Sequence, residues 1–96
     1  MSETTVRVRA VVHGRVQGVG FRAFAVGVGA RLGVRGRVAN RSDGTVECVA
    51  EGPRPAVETL MQRVREGPGM ARVERVDVSE DLGGEPLPPM QVGGWY

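Results

Sequence analysis

The chain contains 96 residues, of which 41% are hydrophobic and 25% are charged, a composition typical of one small globular domain. It has no apolar run of about 18 residues, and its first residues lack the apolar segment of a secretory signal, so we expect neither a membrane span nor export. The single cysteine, Cys48, excludes an internal disulfide and is typical of a buried thiol in a reducing compartment. We therefore expect a cytoplasmic protein with one domain over residues 1–96.

The net charge of +2 conceals an asymmetry along the chain. Residues 4–42 contain eight arginines and no acidic residue, whereas residues 43–96 contain ten acidic residues and five arginines. All 13 basic residues are arginine, which fits either codon bias or a chemical need for the guanidinium group. The asymmetry predicts that an anionic ligand is attracted to the first half of the chain.

The first half is predicted to form a strand, a helix and a second strand. Thr5–Val12 alternates small apolar residues with arginines, which is the period of a half-buried strand. Apolar residues recur at helical spacing over Arg22–Leu32, and Gly33 follows at the position of a C-terminal helix cap. Val34–Arg41 has the pattern of a second strand.

The second half is predicted to form a third strand, a second helix and a fourth strand. Asp43-Gly44 predicts a tight hairpin into a third strand, Thr45–Glu51. Pro53 and Pro55 are typical of the first turn of a second helix, and Gly67-Pro68-Gly69 is expected to end it. Ala71–Ser79 is predicted to be the fourth strand.

The order β-α-β-β-α-β predicts an α+β fold, the ferredoxin-like βαββαβ sandwich, in which an antiparallel sheet carries two helices on one face. Asp81–Pro89 is rich in glycine and proline and is predicted to be irregular. Met90–Tyr96 is expected to add a short edge strand, which Gly93 and Gly94 would weaken.

The segment His13–Arg22, HGRVQGVGFR, joins the first strand to the first helix and contains three glycines. A glycine-rich turn can direct several backbone N–H groups at one point. The start of a helix adds unpaired N–H groups and the positive end of the helix dipole. This combination predicts an anion-binding loop, and phosphate is the commonest ligand of such loops.

Two other phosphate motifs fit poorly. The Walker P-loop requires a lysine, and the chain has none, so it is excluded. Gly18–Ala23 matches the G-x-G-x-x-[GA] fingerprint of dinucleotide-binding folds. That interpretation is disfavoured because the next strand leads into a hairpin, not a crossover, and ends in Asn40-Arg41 with no acidic residue for a ribose.

Three ordered blocks, His13–Arg22, Leu32–Gly36 and Val38–Glu47, resemble the acylphosphatase family. The similarity continues through Gly67-Pro68 and Ala71–Val73, so it spans nearly the whole chain. The resemblance implies a ferredoxin-like fold and metal-independent hydrolysis of carboxyl–phosphate anhydrides, without a cofactor.

The resemblance also implies which residues form the site. The phosphate-binding arginine of the family falls on Arg22, and the water-positioning asparagine falls on Asn40. Arg15 is expected to attract the ligand from solvent and Gln17 to shape the turn. The residues expected to bind phosphate are Arg15, Val16, Gln17, Gly18, Val19, Gly20, Phe21 and Arg22.

These residue types suit that chemistry. A cation such as Arg22 at a helix start opposes the dipole by about 0.3–1 kcal/mol, and a bound anion would reverse the sign. The amide of Asn40 cannot remove a proton near neutral pH, but its carbonyl oxygen could hold a water in line with phosphorus. A carboxylate whose conjugate acid has a pKa of about 4 leaves without a general acid. Positioning and charge stabilisation then supply most of the catalysis.

His13 is the only histidine and lies beside the loop. It could act as a base, although a partly exposed structural histidine is the simpler interpretation. No cluster of histidine, cysteine and aspartate has metal-ligand spacing, so no metal is expected.

Other functions are open to the sequence. The chain could be an anion-binding module without turnover, or it could serve a larger assembly in trans. RNA binding is disfavoured because only four aromatic residues are available for stacking, Phe21, Phe24, Trp95 and Tyr96. The expected partners are an acyl phosphate substrate and inorganic phosphate as product and competitive ligand, with no nucleic acid, no membrane and a monomeric state.

Overall fold

The computed structural model describes residues 4–81 and 83–93. Every strand and helix predicted from the sequence is present, with bounds shifted by a few residues. Among the described residues, no helix has the length and apolarity needed to cross a membrane. The elements are β1 (Thr5–Arg15), α1 (Phe21–Arg31), β2 (Arg35–Asn40), β3 (Val46–Pro53), α2 (Arg54–Glu66), β4 (Arg72–Glu80) and β5 (Gln91–Val92).

The strands form one sheet in the order β4-β1-β3-β2-β5. The first four strands pair antiparallel, as predicted, whereas β5 runs parallel to β2. The parallel pair arises because β4 finishes at the end of the sheet where β2 begins, and the chain crosses to the far edge before it turns back. The ferredoxin-like fold is confirmed, with a mixed five-stranded sheet. The last part of the predicted edge strand, residues 94–96, lies outside the described residues.

The core lies between the sheet and the two helices. Alternate residues of the central strands are fully buried, including Ala10 and Val12 of β1 and Cys48 of β3. Phe21 and Leu60 contribute the largest fully buried side chains of α1 and α2. Burial, together with the charge of Glu47, raises the pKa of the Cys48 thiol to about 12, so it stays protonated. The predicted buried thiol is therefore confirmed.

The described part of the segment that crosses from β4 to β5, residues 81 and 83–90, is irregular, as predicted. Arginine side chains of the sheet form hydrogen bonds with its backbone. The Arg7 guanidinium donates to the backbone carbonyls of Gly83 and Glu85 and pairs with Glu51 at 3.0 Å. Arg35 Nε donates to the carbonyl of Leu87 at 2.6 Å. These contacts hold the crossing against the sheet.

Two glycines of α1 differ in what surrounds them, which gives a test of the packing. Apart from the adjacent residues and the backbone of α1 itself, no described atom lies within 4 Å of a methyl group added at Gly27, whereas one added at Gly29 would lie 3.0 Å from Met90 Cγ. Gly27→Ala should raise the free energy of unfolding by about 0.5–1 kcal/mol, because alanine loses less entropy in a helix. Gly29→Ala should give no such gain in urea unfolding. An equal gain in both variants would contradict the packing of Met90 on α1.

Candidate active site

The chain passes from β1 to α1 through a tight loop whose shape depends on glycine. Gly18 and Gly20 have φ angles of 73° and 79°, in the left-handed region that side-chain-bearing residues rarely adopt. At Gly14, with φ 128°, an added methyl group would collide with the backbone oxygen of Arg72 in β4. The glycine spacing of the sequence therefore corresponds to two turn positions and one close approach of strands.

The loop ends at a helix start that is rich in free donors. Helix α1 has no side-chain N-cap and no acidic residue in its first turn. Within the described part of the chain, the backbone N–H groups of residues 18–23 donate no hydrogen bond. Unpaired N–H groups and the helix dipole together give this end of α1 a positive potential. Arg22 adds a full charge, since none of the described residues forms an ion pair with it.

Asn40 is the last residue of β2 and lies two residues beyond buried Val38. Because alternate residues of a strand share a face, Asn40 lies on the side of the sheet that carries the helices. Its side chain is 6% exposed, and its Oδ1 atom is buried without a hydrogen-bond partner among the described residues. Buried polar atoms without partners are rare in proteins, and each has a specific reason, such as a bound water or ion or a catalytic role.

The loop, the helix start and Asn40 meet at one cleft of about 200 Å³. Of the residues singled out in the sequence, Arg15, Gln17 and Val19 do not line it. Arg15 is exposed at the end of β1, opposite Arg72 of β4. Val92 lines the cleft although sequence reasoning missed it, because only its pairing with β2 brings it there. The lining residues are Val16, Gly18, Gly20, Phe21, Arg22, Ala23, Asn40 and Val92.

Gln17 connects the loop to the turn that follows Asn40. Its Nε2 atom donates to the backbone carbonyls of Arg41 at 2.7 Å and Thr45 at 2.9 Å. The turn itself is closed by Asp43, which accepts hydrogen bonds from the hydroxyl and the N–H of Thr45. The hydroxyl bond, followed by the N–H bond, lowers the pKa of the Asp43 carboxyl. Gln17 thus holds the loop and the end of β2 at a fixed separation.

Replacement of Gln17 by alanine should lower the free energy of unfolding by about 1 kcal/mol, since two hydrogen bonds are lost but both carbonyls keep backbone partners. The exposed amide Gln62 of α2 gives the matched control, and Gln62→Ala should change stability by less than about 0.5 kcal/mol. Urea unfolding of the two variants measures the difference. Equal stability of both variants would show that the Gln17 bridge contributes nothing.

His13 is not part of the cleft lining. Its Nε2 atom lies 3.0 Å from Asp77 Oδ2 and 3.2 Å from Arg75 Nη2, on strands β1 and β4. The Arg75 hydrogen bond is the main cause that lowers the pKa of Asp77, and His13 adds to it. These contacts agree with the structural interpretation of His13 and not with a base in the cleft.

Comparison with known proteins identifies the family. The Acylphosphatase family model matches residues 8–86. A protein of Salinibacter ruber named acylphosphatase is 56% identical over 75 residues, which cover 78% of this chain and 79% of that protein. An acylphosphatase of Anaeromyxobacter sp. is 50% identical over 86 residues, covering 90% of this chain and 92% of that protein.

A solved structure agrees with the sequence comparison. The crystal structure of acylphosphatase from Bacillus subtilis superposes with a TM-score of 0.87 at 34% identity, covering 94% of this chain and 99% of that one. The chain therefore belongs to the acylphosphatase family and is a hydrolase of that family. The resemblance, the enzyme class and the fold predicted from the sequence are confirmed.

Proposed function

We propose that this protein hydrolyses the carboxyl–phosphate bond of acyl phosphates to carboxylate and inorganic phosphate, without a metal ion or other cofactor. One observation carries the proposal: Asn40, whose buried Oδ1 atom has no hydrogen-bond partner among the described residues, lines the same cleft as Arg22 and the start of α1 with its free N–H groups. Family membership supports the substrate class, because the relatives are named acylphosphatase.

In the proposed mechanism, the phosphoryl oxygens accept hydrogen bonds from N–H groups of the loop, of which those of residues 18–22 have no other partner among the described residues. The Arg22 guanidinium contributes a planar pair of donors that matches two phosphoryl oxygens. The bound dianion also reverses the unfavourable contact between Arg22 and the helix dipole. Because these donors are fixed before the substrate arrives, they stabilise the charge of the transition state without reorganisation.

The attacking water donates a hydrogen bond to Asn40 Oδ1 and is held in line with phosphorus. As the oxygen of this water bonds to phosphorus, the bond from phosphorus to the acyl oxygen breaks, and its electron pair leaves with the carboxylate. The proton of the water passes to the phosphate product or to solvent. The carboxylate is a weak base, so its departure requires neither a general acid nor a Lewis acid.

The proposal includes the remaining expectations from the sequence, namely a single-domain, monomeric protein of the cytoplasm that binds no nucleic acid or membrane. The free, protonated Cys48 thiol is compatible with a reducing compartment. Gel filtration coupled to light scattering tests the monomeric state.

The decisive assay is hydrolysis of benzoyl phosphate by the purified protein in the presence of a chelator. We expect enzyme-dependent release of phosphate above the spontaneous rate, with competitive inhibition by inorganic phosphate. A folded protein that binds phosphate but does not accelerate hydrolysis would instead be an anion-binding module, and the proposed activity would be wrong.

A further inference from the structure

Part of the cleft lining is apolar and takes no part in the proposed binding of phosphate. Val92 of β5 lines the cleft, yet its side chain is 49% exposed. Exposed Ala23 of α1 lines the same cleft. The cleft therefore combines polar donors at the loop with apolar groups at the β5 side.

The position of Val92 is fixed on both sides along the chain. Val92 is paired with Val38 of β2, and the N–H of the next residue, Gly93, donates to the Val38 carbonyl at 2.7 Å. On the other side, the Met90 side chain is buried against α1 at Gly29. Val92 is thus held in the lining of the cleft by the backbone pairing of β5 with β2 and by the packing of Met90.

The residues that line the cleft differ in exposure. Asn40 is 6% exposed, whereas Val92, on the strand beside β2, is 49% exposed and Ala23 of α1 is exposed. In an in-line displacement the leaving group departs on the side opposite the attacking water. An acyl group that extends from buried Asn40 toward solvent would pass the exposed apolar groups of the lining, Val92 and Ala23.

We propose that Val92 is a specificity-determining residue, which contacts the acyl group and favours apolar over small or polar acyl phosphates. This inference rests on the proposed acyl phosphate hydrolysis and assigns it a substrate class. An apolar acyl group that covers the Val92 methyl groups removes apolar surface from water, whereas an acetyl group covers little of it. The contact acts on substrate affinity, so its effect is expected mainly in KM.

The test compares kcat/KM for benzoyl phosphate and acetyl phosphate in Val92→Ser and Val92→Leu. Val92→Ser should lower the benzoyl-to-acetyl ratio by about 3- to 10-fold and change acetyl phosphate turnover by less than about 2-fold. Val92→Leu should keep or raise the ratio. A ratio of two substrates cancels any loss of folded protein, and Val92→Leu keeps the position apolar.

Val78 gives the matched control, because it is a 40% exposed valine on β4, at the opposite edge of the sheet and away from the cleft. Val78→Ser should leave the ratio unchanged. An unchanged ratio in both Val92 variants of an active enzyme would overturn the inference alone. Wild-type protein that hydrolyses neither substrate would overturn the proposed function, and the inference with it.

Discussion

Replacement of Arg22 by alanine should lower kcat/KM for acyl phosphates by about 10³-fold or more, the range expected for an arginine that stabilises a transferring phosphoryl group. Both kcat and KM should change, because the guanidinium contacts the phosphoryl oxygens in the ground state and in the transition state. Arg22→Lys should recover only part of the activity, since an ammonium group keeps the charge but lacks the planar pair of donors.

The same replacement should not destabilise the protein. Arg22 opposes the dipole at the start of α1 and has no ion-pair partner among the described residues, so Arg22→Ala should raise the free energy of unfolding by up to about 1 kcal/mol. Phosphate at about 100 times its Kd should stabilise wild type by about 2.7 kcal/mol and the variant hardly at all. Thermal unfolding with and without phosphate measures both effects.

The other end of α1 supplies the control for Arg22. Arg31 is exposed in the last turn of the same helix, where a cation agrees with the dipole. Arg31→Ala should lower stability slightly and leave kcat and KM unchanged. Equal losses of activity in Arg22→Ala and Arg31→Ala would mean that positive charge on the helix, and not the Arg22 contact, supports turnover.

Replacement of Asn40 by alanine should lower kcat by about 10²-fold or more, because the attacking water loses the group that aligns it. KM and inhibition by phosphate should change little, since the loop and Arg22 keep their contacts to the anion. This division between kcat and KM distinguishes Asn40 from Arg22. Asn40→Asp should also raise KM, because a carboxylate in the cleft repels the phosphoryl dianion.

The stability of Asn40→Ala shows whether a loss of activity comes from catalysis or from unfolding. Asn40 Oδ1 is buried without a partner among the described residues, so its removal relieves a desolvation cost and Asn40→Ala should unfold at nearly the wild-type urea concentration. Gln91, an exposed amide on neighbouring β5, provides the control, and Gln91→Ala should keep full activity. A large loss of stability in Asn40→Ala, with activity restored at lower temperature, would point to a structural role for this asparagine.

Local patterns in the sequence predicted most of the fold. The alternation in Thr5–Val12 and the helical spacing over Arg22–Leu32 depend on neighbouring residues only, and both elements are present as β1 and α1. The glycines of the loop were also predictable, because positive φ angles at Gly18 and Gly20 are a local requirement. Element ends were less accurate, and β1 continues to Arg15.

Other features of the fold and of the site could not be predicted, because they depend on contacts between distant residues that leave no pattern in the local sequence. Gln17 binds backbone carbonyls, and a carbonyl has the same chemistry at every residue, so no residue type marks the partner. Val92 joins the cleft through parallel pairing of β5 with β2, which only the crossing of the chain from β4 determines. The arginine side chains that hold this crossing also donate to backbone carbonyls, as Arg7 does to that of Gly83, so no residue type marks these partners either.

The proposed mechanism depends most directly on which atom of the acyl phosphate the water attacks. Hydrolysis of benzoyl phosphate by the wild-type enzyme in ¹⁸O-labelled water, followed by mass spectrometry of both products, identifies the atom that receives the oxygen. A water aligned by Asn40 on phosphorus predicts that the label appears in inorganic phosphate and that benzoate stays unlabelled. Label in the benzoate would mean attack at the carbonyl carbon, which would contradict the roles assigned to Arg22, Asn40 and the loop between β1 and α1.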